Sequence, residues 1–193
     1  MGKPTAVVLF NLGGPDSLEA VQPFLFNLFS DPDIFKFPFG AITQKWFARA
    51  ISRRRAPEAS IGYRAIGGKS PQLEITNAQA KALDQALSDK GSYEVFVCMR
   101  YWHPMADAVV AALKEKEIDR VILLPLYPQY SLTTTGSSYN DFMRACQRHH
   151  YQPTISFIRQ WYEQPEYQQA IASAISAEAQ KMPDPDPENI ELL

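Results

Sequence analysis

The sequence predicts a layered α/β fold, in which a parallel β-sheet is covered by helices on both faces. Three observations predict it. Short apolar runs of strand length alternate with helix-length segments along the chain. The strand runs are apolar at nearly every position, as in parallel strands that are buried on both faces. A chain of 193 residues that is 46% hydrophobic can also bury one core of ordinary size.

The elements follow one another in a regular order. Each predicted strand is a short, nearly continuous apolar run, and each predicted helix repeats apolar residues with a period near 3.6. The predicted strands are residues 6–11, 93–99, 120–126, 154–158 and 190–193. The predicted helices are residues 18–29, 40–52, 75–88, 105–114, 138–149 and 165–181.

Two helix ends have specific signals. The second helix is expected to end at Arg53, Arg54 and Arg55, because cations stabilise the negative end of the helix dipole. The fifth helix is expected to be capped by one hydroxyl-bearing residue of the run before it. The candidates for that cap are Thr133, Thr134, Thr135, Ser137 and Ser138.

We predict one domain over residues 1–181, followed by a different kind of segment over residues 182–193. Residues 182–188 are rich in proline, and residues 190–193 look like the opening of a further strand. A core strand with nothing after it favours a fragment cut near a domain junction, since such junctions fall in exposed linkers. Residues 182–193 are therefore expected to be a linker and the first strand of a second half.

Composition excludes several classes of protein. The formal net charge is -2 and the basic residues are scattered, so nucleic acid is not an expected partner. Cys98 and Cys146 stand far apart without a metal-binding or disulfide pattern, which indicates reduced, intracellular thiols. Neither a signal peptide nor a run of roughly 18 apolar residues is evident. We expect a cytoplasmic protein, and a peripheral membrane contact stays open.

The candidate site lies in the loops that follow the strands, because open α/β sheets bind ligands at that edge. Gly13 and Gly14 lack the spacing of a phosphate-binding loop. They favour either a tight turn with Asp16 or Ser17 as cap, or close approach to a flat ligand. Arg100 follows the second strand, where the alternatives are a ligand contact and a buried ion pair.

The remaining loops suit an amphiphilic aromatic acid better than a nucleotide. Tyr127 and Tyr130 flank a proline and can present flat rings. The helix that follows them has free N–H groups at its start, which suit a carboxylate. Phe35–Phe39 alternates aromatic residues without strand neighbours, and we interpret it as an apolar lip over a cleft or at a membrane surface.

Five ordered stretches of the chain resemble the N-terminal part of the ferrochelatase family, whose members insert ferrous iron into a porphyrin in haem biosynthesis. The stretches are residues 12–15 (LGGP), 54–57 (RRAP), 63–71 (YRAIGGKSP), 99–104 (MRYWHP) and 124–138 (LPLYPQYSLTTTGSS). The resemblance implies two Rossmann-like, chelatase-type halves with the porphyrin, protoporphyrin IX or coproporphyrin III, in the cleft between them. This chain would carry the porphyrin-binding half.

The resemblance also implies the substrate-binding residues. Leu12 would touch the macrocycle face, while Arg55, Tyr63 and Ser70 would hold propionate groups or the nearby wall. Arg100 and Tyr101 would line the inner cleft. The other side would be lined by Tyr127, Ser131 and Thr133. Lys69 departs from the pattern, which often has a third glycine there, so the shape of that loop stays open.

No catalytic or metal-ligating residue is assigned in this chain. In the family the histidine belongs to a Ser-Ala-His-Gly-Leu-Pro type motif, which would lie beyond Leu193, and a glutamate follows later. Residues 1–193 alone are therefore expected to be inactive. The expected partners are the porphyrin, Fe²⁺ as substrate and the second half. No tightly bound cofactor is expected, and Leu132 supplies no iron–sulfur ligand where some members have cysteine. The alternative is a non-catalytic tetrapyrrole-binding module.

Overall fold

A computed structural model describes residues 3–35 and 40–182. The chain divides into two compact units, Met1–Arg159 and Gln160–Leu193. The predicted domain boundary after residue 181 stays a prediction, since residues 183–193 lie outside the described part. The same holds for the predicted strand at residues 190–193.

The sheet of the first unit has four parallel strands. They are β1 (Thr5–Asn11), β2 (Tyr93–Met99), β3 (Arg120–Pro125) and β4 (Thr154–Phe157), in the order β2-β1-β3-β4. The predictions for these strands are confirmed to within one residue at either end. Val8 of the central strand lies between Phe96 and Leu123, so β1 is paired on both sides.

The helices follow the predicted order, with different ends. They are α1 (Val21–Phe29), α2 (Ala41–Ala65), α3 (Gln72–Leu87), α4 (Ala106–Glu115), α5 (Ser137–Arg148) and α6 (Pro165–Ala179). In the second unit, α6 is the helix that the structure describes. Among the described residues, no helix combines the length and the apolarity needed to cross a bilayer.

Both faces of the sheet are covered by helices, as predicted, and the central strand β1 is buried on both. The side chains of Val8 and Phe10 on one face pack in a core cluster with Val110 of α4 and Phe142 of α5. Leu9 points to the opposite face, because successive side chains alternate along a strand, and it is buried as well. On that second face Asn11 reaches α3 by a side-chain hydrogen bond to Thr76.

The predicted end of the second helix is wrong. Arg53, Arg54 and Arg55 lie in the middle of α2, which continues through Pro57 to Ala65. Pro57 removes one backbone donor, but it is exposed, so water can satisfy the carbonyl group that loses its partner. The helix persists because Ala56, Ala59 and Tyr63, beyond the predicted end, pack against a cluster that includes Val21 and Phe24 of α1.

The predicted cap of the fifth helix is also wrong. A short π-helical segment, Leu132–Gly136, runs directly into α5. Its first turn is capped by Ser131, whose Oγ accepts a hydrogen bond from the Thr133 N–H at 3.3 Å. Thr135, Ser137 and Ser138 are instead buried inside the helix.

Candidate functional site

A cavity of about 460 Å³ opens at the carboxyl edge of the sheet, where this class of fold binds ligands. We call it the carboxyl-edge cleft. The segments that line it are the end of β1, α1, the last turn of α2, the loop after α2, the first half of α3 and the residue after β3. The lining residues are Asn11, Leu12, Gly13, Phe24, Tyr63, Ser70, Pro71, Gln72, Ile75, Thr76, Gln79 and Leu126.

The end of α2 brings Tyr63 and Ser70 to the same cavity. The Gly68 N–H donates to the Tyr63 carbonyl at 2.8 Å, and the Gly67 N–H donates to the Arg64 carbonyl at 3.3 Å. These two bonds form a Schellman motif, which turns the chain back at the end of a helix. Gly67 has a φ of 97°, a conformation that glycine adopts without steric cost.

Gly14 is required because the loop after α2 packs directly on the turn after β1. The Ser70 N–H donates to the Pro15 carbonyl at 2.8 Å. A Cβ atom on Gly14 would lie 2.4 Å from Ser70 Oγ, which is far inside van der Waals contact. The two loops can therefore meet only if residue 14 has no side chain.

Gly13 is required for a different reason. It has a φ of 81°, and a Cβ atom there would lie 3.0 Å from the Trp102 backbone nitrogen. The predicted cap of the next helix by Asp16 or Ser17 is wrong, because α1 begins at Val21 with Ala20 as its N-cap and without a side-chain cap. Ser17 Oγ instead accepts from the Ala20 N–H at 3.2 Å, before the helix begins. Gly13 also lines the carboxyl-edge cleft.

The polar side of the cleft is organised by Asn11. Its Oδ1 accepts from Gln72 Nε2 at 2.9 Å and from the Leu12 N–H at 2.8 Å. Its Nδ2 donates to Thr76 Oγ1 at 2.9 Å. Sequence reasoning missed Gln72 and Thr76, although their i, i+4 spacing places them on one helix face. These bonds hold the start of α3 against the end of β1.

Arg100 and Tyr101 are not among the cleft-lining residues. They belong to a buried polar network around Asp31, which is 1% exposed. Arg100 Nη2 lies 3.0 Å from Asp31 Oδ2, and Tyr101 Oη donates to the same oxygen at 2.6 Å. Ser137 Oγ also donates to Asp31 Oδ2 and accepts from Arg100 Nε at 2.6 Å. The buried ion pair left open for Arg100 is therefore present.

The network shifts the acidity of its members. Burial alone would raise the pKa of Asp31, but the hydrogen bonds from Ser137 and Tyr101 and the charge of Arg100 outweigh it and lower that pKa. Burial and the bond to Asp31 raise the pKa of Tyr101. Arg100 Nη1 lies 3.4 Å from a second carboxylate, Asp141, whose pKa is raised by burial. Asp31 is thus held ionised inside the protein.

The backbone of the same segment supports the cleft. The Arg100 N–H donates to the Asn11 carbonyl at 2.8 Å, and the Tyr101 N–H donates to the Leu12 carbonyl at 2.9 Å. Arg100 and Tyr101 therefore fix two residues that line the cleft. Their predicted contacts with a ligand stay predictions.

The other predicted site residues lie apart from the cleft lining. Arg55 is exposed and forms an ion pair with Glu58 at 3.2 Å. Tyr127 packs against the main core, and burial raises its pKa. Ser131 and Thr133 form the capped turn before α5, where their hydroxyl oxygens lie 3.0 Å apart. The structure therefore brings together Leu12, Tyr63 and Ser70 in one cavity. The ligand contacts predicted for all nine residues stay predictions.

Within residues 3–35 and 40–182, no group of three or more histidine, cysteine or acidic side chains is placed to hold a metal ion. Residues 36–39 of the predicted apolar lip lie outside the described part. A second cavity, of about 410 Å³, lies between the end of α5 and β4 and is lined by none of the predicted site residues.

Comparison with known proteins agrees with this picture. The family model named Ferrochelatase matches residues 4–193. The ferrochelatase of Geotalea daltonii is 49% identical over 175 residues, which are 91% of this chain and 54% of that protein. That of Aquifex aeolicus is 49% identical over 178 residues, 91% of this chain and 55% of that protein. The ferrochelatase of Trichormus variabilis is 45% identical over 189 residues, which are 96% of this chain and 48% of that protein.

The chain spans about half the length of the curated relatives it matches. The family model covers nearly all of it, including both glycine-rich loops of the cleft. The four-stranded parallel sheet with its helices is the Rossmann-like, chelatase-type fold that the resemblance implies. The chain belongs to the ferrochelatase family.

Proposed function

We propose that this chain supplies the porphyrin-binding wall of a ferrochelatase, which inserts Fe²⁺ into protoporphyrin IX or coproporphyrin III. The observation that carries the proposal is the convergence of Leu12, Tyr63 and Ser70 in the carboxyl-edge cleft. These residues come from three separate segments, and the resemblance alone predicts each of them as a ligand contact. Their meeting in one cavity supports a shared ligand.

The chemistry of the lining suits an amphiphilic macrocycle. Leu12, Phe24 and Ile75 offer apolar surface to a flat ring, while the hydroxyl groups of Tyr63 and Ser70 can donate hydrogen bonds to carboxylates. Burial raises the pKa of Tyr63, so the phenol stays protonated and remains a donor at neutral pH. In this proposal the wall binds and orients the porphyrin.

Metal insertion needs a group that accepts the two pyrrole N–H protons, and a neutral histidine suits that task. None of the described histidines lines the cleft. His149, for example, follows the last residue of α5, and its Nε2 lies 3.3 Å from Oδ1 of Asp107 in α4. We therefore propose that the proton acceptor lies on residues beyond this chain, as the resemblance implies, and that Fe²⁺ is a substrate rather than a resident cofactor.

We further propose a cytoplasmic location with a peripheral membrane contact. Free thiols at Cys98 and Cys146 are typical of a reducing compartment. Helix α2, which follows the predicted lip at Phe35–Phe39 in the sequence, presents Trp46, which is 80% exposed, beside cationic residues. Cationic and aromatic residues on one helix favour the surface of an anionic bilayer. The cationic residues are Lys45, Arg49, Arg53 and Arg54.

The test uses purified residues 1–193. A porphyrin is titrated and its main absorption band followed, and Zn²⁺ or Fe²⁺ is then added and metalloporphyrin measured. We expect saturable binding and no metal insertion above the uncatalysed rate. Absence of saturable binding would refute the porphyrin-binding wall. Appreciable turnover would refute the placement of the proton acceptor. If a longer natural form of the chain also binds porphyrin without inserting metal, the binding-module alternative is favoured.

A further inference from the structure

We infer that Lys69 binds a carboxylate of the ligand at the rim of the carboxyl-edge cleft, and that Glu74 holds its ammonium group while the cleft is empty. The inference rests on the proposed function, because it adds a binding residue to the same site. It concerns a side chain outside the set of nine residues that the resemblance implies.

The backbone on both sides of Lys69 is fixed against cleft-lining segments. The Gly68 N–H is bonded to the Tyr63 carbonyl at 2.8 Å, and the Ser70 N–H is bonded to the Pro15 carbonyl at 2.8 Å. Tyr63 and Ser70 both line the cleft. Lys69 is therefore anchored at the rim, while its flexible four-carbon stem leaves the ammonium group free to change partners.

The present partner of Lys69 is easily replaced. Lys69 Nζ forms an ion pair with Glu74, and the two side chains are 51% and 67% exposed. Exposed pairs of this kind contribute little to stability, because water screens them. Glu74 lies in the first turn of α3, where the helix dipole stabilises a carboxylate even without a cation. The ammonium group can therefore leave at little cost.

A ligand carboxylate in the cleft would be the better partner. A carboxylate that accepts from the Tyr63 or Ser70 hydroxyl would lie beside residue 69 and less exposed to water than Glu74. Arg55 lies eight residues before Tyr63, about 12 Å along the helix axis, so it starts farther from the two hydroxyl groups. Arg55 is also paired with Glu58. Two cations are adjacent in sequence to the hydroxyl-bearing residues: Arg64 follows Tyr63, and Lys69 precedes Ser70.

This arrangement predicts a dependence on charge rather than on ring shape. The Lys69 ammonium group should strengthen binding of a porphyrin acid through its carboxylate and should not affect binding of the methyl ester of the same porphyrin. Glu74 should compete with the ligand for Lys69. The competition should weaken as salt screens both interactions.

The experiment compares the full chain with Lys69→Gln, Glu74→Gln and Lys90→Gln in low salt. Lys90 is a matched control, because it is an exposed lysine paired with Asp89 at the other end of α3. Each protein is titrated with a porphyrin dicarboxylic acid and with its dimethyl ester. Thermal unfolding midpoints show that the exposed substitutions leave the fold intact.

We expect Lys69→Gln to weaken binding of the acid by about two- to fivefold, the size of an exposed charge pair, and to leave ester binding unchanged. Glu74→Gln should tighten acid binding by up to about twofold, and Lys90→Gln should change neither ligand. Equal acid affinity in the wild type and Lys69→Gln, or equal losses for acid and ester, would overturn the inference. If the wild type binds neither ligand, the proposed function fails together with it.

Discussion

Arg100 Nη2 lies 3.0 Å from Asp31 Oδ2, and the two side chains are only 8% and 0% exposed. The pair joins the residue after β2 to the segment after α1. Ser137 of α5 and Tyr101 donate to the same oxygen, and the Asp33 N–H donates to Asp31 Oδ1 at 2.8 Å. The backbone N–H groups of Arg100 and Tyr101 donate to the carbonyls of Asn11 and Leu12, so the network also fixes the position of two cleft-lining residues.

Removal of Asp31 should therefore lower the stability of the folded protein. Asp31→Ala leaves a buried guanidinium group without its main partner, and we expect the free energy of unfolding to fall by about 3 kcal/mol or more. Urea denaturation measures it. Asp107→Ala is the matched control, since Asp107 pairs with Arg148 at 2.8 Å but both side chains are about half exposed. The control should cost about 1 kcal/mol or less, and equal losses would contradict a structural role for the network.

The same carboxylate should make stability depend on pH. The pKa of Asp31 in the folded protein lies below its ordinary value of 3.8. Its stabilising contribution is therefore present above about pH 3.8 and is lost as the pH falls through the lower folded value. The difference in unfolding free energy between the wild type and Asp31→Asn should be large at pH 7 and shrink below pH 4. Asp141 shares Arg100 with Asp31, so Asp141→Asn is measured at the same pH values to separate its own titration from that of Asp31. A difference that stays constant with pH would contradict this assignment.

Two glycines should respond to alanine in opposite directions. A methyl group at Gly14 would lie 2.4 Å from Ser70 Oγ, so Gly14→Ala should destabilise the protein by about 1–3 kcal/mol. Gly62 lies inside α2, and a methyl group there would have no neighbour within 4 Å, so Gly62→Ala should stabilise the protein by about 0.5–1 kcal/mol. Thermal unfolding measures both. Adding Ser70→Gly should restore most of the loss at Gly14, and no restoration would mean that the close contact is not the cause.

The strands could be predicted because their signal is local. A parallel strand buried on both faces is apolar nearly throughout, and β1, with five consecutive buried residues, is predicted to within one residue. The course of α2 could not be predicted in the same way. Three arginines and Pro57 are local stop signals, but they lie on the exposed side, and the packing of Ala59 and Tyr63 on α1 overrides them.

The site was predictable in part, because some of its residues also carry a local sequence signal. Leu12, Tyr63 and Ser70 belong to short stretches that resemble a family, and they meet in one cleft. The partner of Arg100 was not predictable, because Asp31 lies 69 residues away, between the helices predicted for residues 18–29 and 40–52. Pairing at that distance depends on tertiary packing, which a single sequence does not display.

If a porphyrin occupies the carboxyl-edge cleft, the exposed apolar side chains of the lining contribute to its affinity, and one titration measures that contribution. Ile75 of the cleft and Ile175 of α6 are exposed isoleucines, at 54% and 63%. An aspartate at residue 75 would remove apolar contact and repel a ligand carboxylate, whereas residue 175 is not among the cleft-lining residues. Porphyrin affinity should fall by about tenfold in Ile75→Asp and stay at the wild-type value in Ile175→Asp. Equal affinity in Ile75→Asp and the wild type would contradict the account.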